Sequence, residues 1–524
     1  MADHDPELTI PGPPDELEYA GGGLARETNW WGAFVIGLAG TILVTGIAPV
    51  MVTSLGAASI PVIIVITIMG YLLCLLLAEL SAMMPERTGG SPSYAYPAYK
   101  DRWPRAAKHI NGFTAWAYWL GWFPVAPLNM ILASYYLVYQ FDLSQNGIEP
   151  IHTPIAYWTI AISIVGILLV FIPAWLGIRL GTVFATVLGL LSMIPLTFLA
   201  IAPIFRPSVA DWGELSNPSW FAQLDGTSFF SDAFGHNWLV IYIAFAFLLT
   251  WNVIAMEAAA CYIGECRDPE RDAKIAMNAE GLYGLFIYTM IPIAFIVVIG
   301  AKELGNTSLG LFDPNAIFTS FAGRIFSTGG STLNWLVTIM LVVALSLSVL
   351  NSIMGCARAL YQMAIDGQFP RIFTSVNRHG VPGFAMGFNV LFSLALIFTG
   401  GAVEIYSLSN VGYTVSFIPV LIGYYLLRKH KADARRPVRL PEPFKYIALG
   451  MAAVFFVIWL YGGIVYTSLP NALLDNSDTR IYFFIGWAIL LSYVFFYWYR
   501  VKVEDPKYAA QGPTDRPEPL ATGD

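Results

Sequence analysis

Apolar and polar positions in this chain do not follow the short periods of a soluble core. They fall into long, almost uncharged apolar runs, separated by short segments that carry most of the charge. A helix needs about 20 apolar residues to cross ~30 Å of hydrocarbon. The runs that meet this length lie near 30–56, 60–84, 111–140, 154–175, 182–204, 238–263, 281–301, 332–360, 383–400, 404–427, 445–468 and 480–499. With no water at that depth to satisfy backbone groups, such runs are expected to be helical. The pattern therefore predicts an all-α polytopic membrane protein of about twelve transmembrane helices, with the lipid bilayer as its solvent.

The loops between the runs give an orientation. Lys and Arg near span ends are retained on the cytoplasmic side, and with an inside N-terminus all but four of the 28 basic residues fall there. The exceptions are Arg206, Lys302, Arg324 and Arg480. One missed span would reverse every later loop, so both termini are predicted to be cytoplasmic and the protein a multi-pass component of the plasma (inner) membrane. Tryptophans near run ends, such as Trp30, Trp31, Trp238, Trp335 and Trp498, suit interfacial anchoring.

Composition sharpens the exclusions. Of 524 residues 56% are hydrophobic and 12% charged, about half the ~25% charge of a soluble domain. Mean hydropathy is +0.61. A net charge of −7 offers no basic face to phosphates, which excludes nucleic acid as a partner. The acidic N-terminus lacks the plan of a cleaved signal peptide, and both tails read as disordered polar extensions. Cys74, Cys261, Cys266 and Cys356 match no zinc or disulfide spacing and read as buried thiols. The six histidines form no i,i+4 ligand pair, and no nucleophile elbow or phosphate-cradling loop is present. No metal, cofactor or enzymatic machinery is expected. The basic cluster from Arg428 to Arg439 is accounted for as a topology determinant, and Asn306-Thr307-Ser308 fits a glycosylation acceptor.

Two runs carry candidate chemistry. The first reads Gly37-Leu38-Ala39-Gly40-Thr41-Ile42-Leu43-Val44-Thr45-Gly46-Ile47-Ala48-Pro49. If it unwinds at Val44-Thr45-Gly46, the following half-helix presents N–H groups and a partial positive charge to an anion. Close helix packing by small residues explains the same glycines equally well. The sixth run holds Trp251, Asn252 and Glu257. An intramembrane acid is expensive and usually faces a cavity or partner, although a structural cap near the boundary is the rival explanation for Glu257. On a regular helix Asn252 and Glu257 point about 140° apart, so they share one cavity only if the helix unwinds between them.

Three separated segments resemble the amino acid–polyamine–organocation (APC) superfamily of transporters. They are Ala78-Glu79-Leu80 with Pro85, Gly89-Gly90-Ser91 and Tyr94; Glu257 with Gly264-Glu265-Cys266-Arg267-Asp268-Pro269; and Arg358 through Asp366-Gly367-Gln368-Phe369-Pro370, then Asn377, Gly380 and Pro382. The resemblance implies a LeuT-like core of two five-helix inverted repeats plus two peripheral helices, with no catalytic role. Its segments would be a tail at 1–28, a first repeat at 29–204, an outer loop at 205–237, a second repeat at 238–427, a basic loop at 428–444, peripheral spans at 445–499 and a tail at 500–524. It implies an amino acid or related amine as substrate. The carboxylate would be received at Val44, Thr45 and Gly46, and the amino group by carbonyls around Thr41, Ile42, Trp251 and Asn252. Trp251 would form an aromatic lid, and Tyr118 and Trp122 a wall.

Val44 stands where the family has glycine, and so does Ala255. Ser192 occupies the position of a lysine that couples protons in some relatives, which removes that route. Sodium coupling, exchange and proton transfer through Glu257 stay open. So do a transporter of cationic amines or polyamines, and a membrane amino acid sensor that moves nothing.

Overall fold

The structure, a computed structural model, describes residues 23–149, 154–217, 220–221, 226–305, 314–399, 402–467, 469 and 479–510. The predicted sequon at 306–308 and most of both tails lie outside them. The apolar runs are helices. Among the described residues the only strands are Gly147–Ile148 and Ile155–Ala156, an antiparallel pair with Gly147 opposite Ala156.

The first run is two helices, α1 (Trp30–Thr41) and α2 (Val44–Leu55), followed by α3 (Ser59–Met83). Asn29 fixes the start of α1 by accepting the N–H groups of Trp31 and Gly32 at 3.0 and 3.2 Å, two donors that a helix start otherwise leaves unpaired. The predicted span 111–140 is also two helices, α4 (Pro104–Trp122) and α5 (Val125–Gln140). Pro124 and Pro127 lack the N–H that would continue the ladder, so the run breaks at Phe123–Pro124. Then come α6 (Tyr157–Trp175), α7 (Ile178–Phe205) and α8 (Trp238–Ile254), which tightens into a 3₁₀ segment, Ala255–Cys261. Asp268 caps α9 (Pro269–Ile299) at Arg271 N–H, with Pro269 at the first helical position. The chain continues through α10 (Pro314–Phe326), α11 (Ser331–Ile365), α12 (Gly383–Ile397), α13 (Ala402–His430), α14 (Phe444–Val457) and α15 (Thr479–Tyr499).

Nine stretches of described residues are long and apolar enough to cross a membrane, and Trp30–Met83 contains the first two predicted spans. The spans expected at 111–140 and 383–400 are not among them. The first folds as α4, whose start carries Arg105 and Lys108, and the 16-residue α5, and the second folds as a shorter apolar helix, Gly383–Ile397. The helices pack around α1, which is buried from Gly32 to Thr41 and touches α7, α9, α11 and the 3₁₀ segment. Outer helices turn apolar stripes away from this core: Val183, Val187, Leu191, Ile194 and Phe198 recur at helical spacing along α7, all exposed. Such a stripe suits hydrocarbon rather than water.

The tightest crossing joins α1 to the 3₁₀ segment. A Cβ built on Gly40 would lie 1.8 Å from the Ala255 carbonyl oxygen, so these backbones touch directly. Ala255 keeps its methyl because Gly40 supplies the missing volume. Gly40→Val is expected to cost at least the ~3 kcal/mol at the upper end of ordinary overpacking, since neither backbone has a rotamer to change. Size-exclusion chromatography of detergent-solubilised protein should show loss of the monodisperse peak.

At the end of the molecule that carries Arg87, charges are buried in pairs. Glu265 and Arg358 form a two-pronged ion pair, Nε to Oε1 and Nη2 to Oε2, the latter at 2.8 Å, with both side chains fully enclosed. Arg358, near the end of the 332–360 run, lies within α11, which continues to Ile365, and the enclosed arginine is tolerated there through its carboxylate partner. Arg87 pairs with Asp366, and Glu79 takes Arg428 at 2.5 Å, Arg436 at 3.1 Å and the Tyr424 hydroxyl at 2.9 Å. Gly89 and Gly90 adopt φ of +87° and +75°, which glycine alone enters cheaply. A Cβ on Gly89 would meet the Arg358 carbonyl at 2.6 Å. The Gly-Gly-Ser motif therefore lets the chain turn against the helix that carries Arg358.

Candidate functional site

Three interrupted helices meet at the centre. In the first, hydrogen bonds shift from i+4 to i+3 spacing: Ile42 N–H bonds to Leu38 O at 2.9 Å, but Thr45 N–H to Ile42 O and Gly46 N–H to Leu43 O, both at 3.0 Å. The break thus sits at Ile42–Leu43, two residues before the predicted Val44-Thr45-Gly46. Its dihedral angles stay helical, so the joint is narrower than full unwinding, and the amides of Thr45 and Gly46 are engaged within their own turn. The carbonyls of Ala39 and Gly40 accept the hydroxyls of Ser348 and Tyr288 at 2.9 and 2.8 Å.

In the second interruption, between α4 and α5, the Gly121 carbonyl takes the Trp251 indole N–H at 3.0 Å and the Ser409 hydroxyl at 2.6 Å. Trp122 O takes Ser352 and Phe123 O takes Ser393, at 2.7 and 3.1 Å. In the third, where α8 passes into 3₁₀ geometry, the Asn252 carbonyl lies 2.8 Å from the same Tyr288 hydroxyl that reaches Gly40. Tyr288 thus ties the first and third breaks together. Its single proton serves one carbonyl at a time.

A cavity of about 60 Å³ lies beside these breaks. Leu43, Thr45, Gly46, Ile47 and Val50 form one wall, Leu128, Asn129 and Leu132 of α5 a second, and Leu248, Trp251 and Asn252 of α8 a third; Leu345, Tyr406 and Tyr466 complete it. Among the described residues no charged side chain is in the lining. Asn252 Nδ2 donates to the Tyr406 hydroxyl at 2.5 Å, and that hydroxyl donates to Leu248 O. Trp251 stands edge-on to Tyr406, with centroids 4.6 Å apart.

Of the residues singled out from the sequence, Thr45, Gly46, Trp251 and Asn252 line this cavity. Thr41, Ile42, Val44, Tyr118, Trp122 and Ala255 are all buried but lie outside the lining. Glu257 belongs to a separate enclosed cluster, where its Oε1 accepts the hydroxyls of Tyr118 at 2.7 Å and Tyr413 at 3.0 Å, with Cys261 Sγ 3.2 Å from Tyr118. Asn252 and Glu257 therefore do not share a cavity, in keeping with their angular separation. A second buried acid, Glu280 on α9, accepts the Ala259 N–H of the 3₁₀ segment at 2.9 Å. Sequence reasoning missed Asn129, Tyr288, Glu280 and Tyr406. Pro124 and Pro127 on either side of the α5 start signalled the break beside Asn129, whereas the two tyrosines have no local signature.

Comparison with known proteins fits this central, uncharged cavity in a helical membrane fold. The profile of the amino acid permease family matches residues 29–490. The chain belongs to that family. As an amino acid permease it is a multi-pass membrane transport protein and not an enzyme. It is similar to an uncharacterized transporter of Legionella pneumophila, 23% identical over 83% of this chain and 88% of the relative. An uncharacterized amino acid permease of Bacillus subtilis is 30% identical over 29% of this chain and 34% of the relative. The glutamate/gamma-aminobutyrate antiporter of Lactococcus lactis is 25% identical over 49% of this chain and 50% of its own length.

Proposed function

We propose that this permease is a secondary active transporter that carries an amino acid across the plasma membrane by alternating access, with the central cavity as its substrate site. The observation that carries this reading is the convergence of three broken helices on one small cavity that lies among helices rather than on lipid. Broken spans at the membrane midplane supply backbone groups that a continuous helix would consume. The α1–α2 and α8–3₁₀ pairs would be the corresponding first members of two inverted repeats, residues 29–204 and 238–427. Their contact at Gly40 and Ala255 supports movement as one unit. With both termini cytoplasmic, the buried pairs Glu265–Arg358 and Arg87–Asp366 close the inner side of the cavity.

Within the site, Thr45 and Gly46 flank the anionic end of the substrate, Asn252 orients it and Trp251 occludes it. An amino acid is favoured over a cationic amine because no acid lines the cavity, and Glu257 is held by two tyrosines elsewhere. Glu257 is the candidate for a protonation step, with sodium coupling and exchange as the alternatives. Counterflow of labelled amino acid in proteoliposomes tests the reading. Accumulation driven by unlabelled internal substrate is expected, whereas binding without flux would identify a sensor.

A further inference from the structure

One polar side chain of the cavity lining has no partner among the described residues. Thr45 donates its hydroxyl to Ile42 O at 2.9 Å, Asn252 is held by Tyr406, and the Trp251 indole is held by Gly121. Asn129 differs. It is 1% exposed, it lines the cavity, and its Nδ2 has no acceptor among the described residues. A buried donor without a partner costs free energy, and an apolar side chain of the same shape would avoid the cost. The cost is offset when a ligand supplies the acceptor. The amides of Thr45 and Gly46 are already engaged with Ile42 and Leu43, which leaves Asn129 as the lining residue with an unpaired amide donor among the described residues.

Size and polarity narrow the guest. A cavity of about 150 Å³ is enough for benzene, so one of about 60 Å³ favours the smallest amino acids, glycine, alanine and serine, over leucine, phenylalanine or arginine. The rest of the lining is largely aliphatic, with Leu43, Ile47, Leu128 and Leu345 among it, and no side chain there answers a charged substrate side chain.

We propose that Asn129 is a direct substrate ligand, donating from Nδ2 to the substrate carboxylate, and that the substrates are amino acids with short, uncharged side chains. This rests on the transporter reading above and deepens it.

The test is equilibrium binding of labelled alanine to purified full-length protein, with competition by glycine, serine, leucine, phenylalanine, glutamate, arginine and the decarboxylated amines. It compares the wild type with Asn129→Leu and Asn129→Ser and adds the melting temperature of each without ligand. Loss of a hydrogen bond to a charged group weakens binding by about 10- to 100-fold. Asn129→Leu should show this loss, Asn129→Ser an intermediate value, and only the short neutral amino acids should compete. Because Leu removes an unpaired donor, the ligand-free melting temperature of Asn129→Leu should be equal or higher. A structural asparagine would give the opposite, a fall in melting temperature alongside lost binding, and that result overturns the proposal. Unchanged alanine binding by Asn129→Leu overturns the assignment of Asn129 alone, and stronger competition by arginine, glutamate or leucine overturns the substrate class. A wild type that binds no amino acid in the panel defeats the transporter reading together with the inference.

Discussion

Gly46→Leu should abolish uptake while leaving the protein folded and inserted. A Cβ added at Gly46 meets no atom within 4 Å, since it points into the cavity that Gly46 lines. The substitution also exchanges the poorer helix former for a better one, worth up to ~1 kcal/mol. The fold therefore has no reason to fail, yet the isobutyl group takes up the 60 Å³ in which the substrate would sit. The initial rate of uptake into proteoliposomes should fall by at least about 100-fold, a barrier increase of ~2.7 kcal/mol, with an unchanged elution profile and an equal or higher melting temperature. The contrast with Gly40→Val is informative. Two glycines six residues apart on the same broken span are expected to give opposite failures, one of assembly and one of transport.

Arg358→Met should be the most destabilising single change at the ion-paired end of the molecule. Removal of one partner leaves the Glu265 carboxylate enclosed with no countercharge, a loss of about 3–5 kcal/mol in buried pairs. The double substitution Glu265→Gln with Arg358→Met removes both charges, so most of that loss should be recovered. Thermal-shift measurements in detergent check the ranking: wild type and double variant close together, Arg358→Met well below both. Equal melting temperatures for the single and double variants would mean that the pair is not what holds this end together.

Most of the spans were readable because lipid imposes a simple length rule on apolar runs, and the rule holds for helices as different as α7 and α11. The break in the first span was readable from Gly37, Gly40, Gly46 and Pro49, but its position was not. The Thr45 hydroxyl bonds back to Ile42 O, and this local competition moves the joint two residues upstream. The α4–α5 break had a signal in Pro124 and Pro127 that a search for long apolar runs passes over, because the run stays apolar through both. Arg358 falls inside the 332–360 run, but its partner, Glu265, lies 93 residues away and has no local signal. Tyr288 reaching Gly40 and Tyr406 reaching Leu248 are likewise contacts between distant segments, which no local pattern encodes. Thus lipid and backbone chemistry made the frame legible, whereas most of the cavity lining was set by tertiary packing.

The central claim is that the space beside Gly46 is where the transported molecule binds, and protection of a cysteine placed there tests it most directly. The four native cysteines are all buried, so a membrane-permeant alkylating reagent should modify Gly46→Cys selectively in proteoliposomes. The account predicts that alanine slows this modification in a saturable, concentration-dependent manner and that arginine leaves it unchanged. Modification at the same rate with and without every amino acid tried would contradict it.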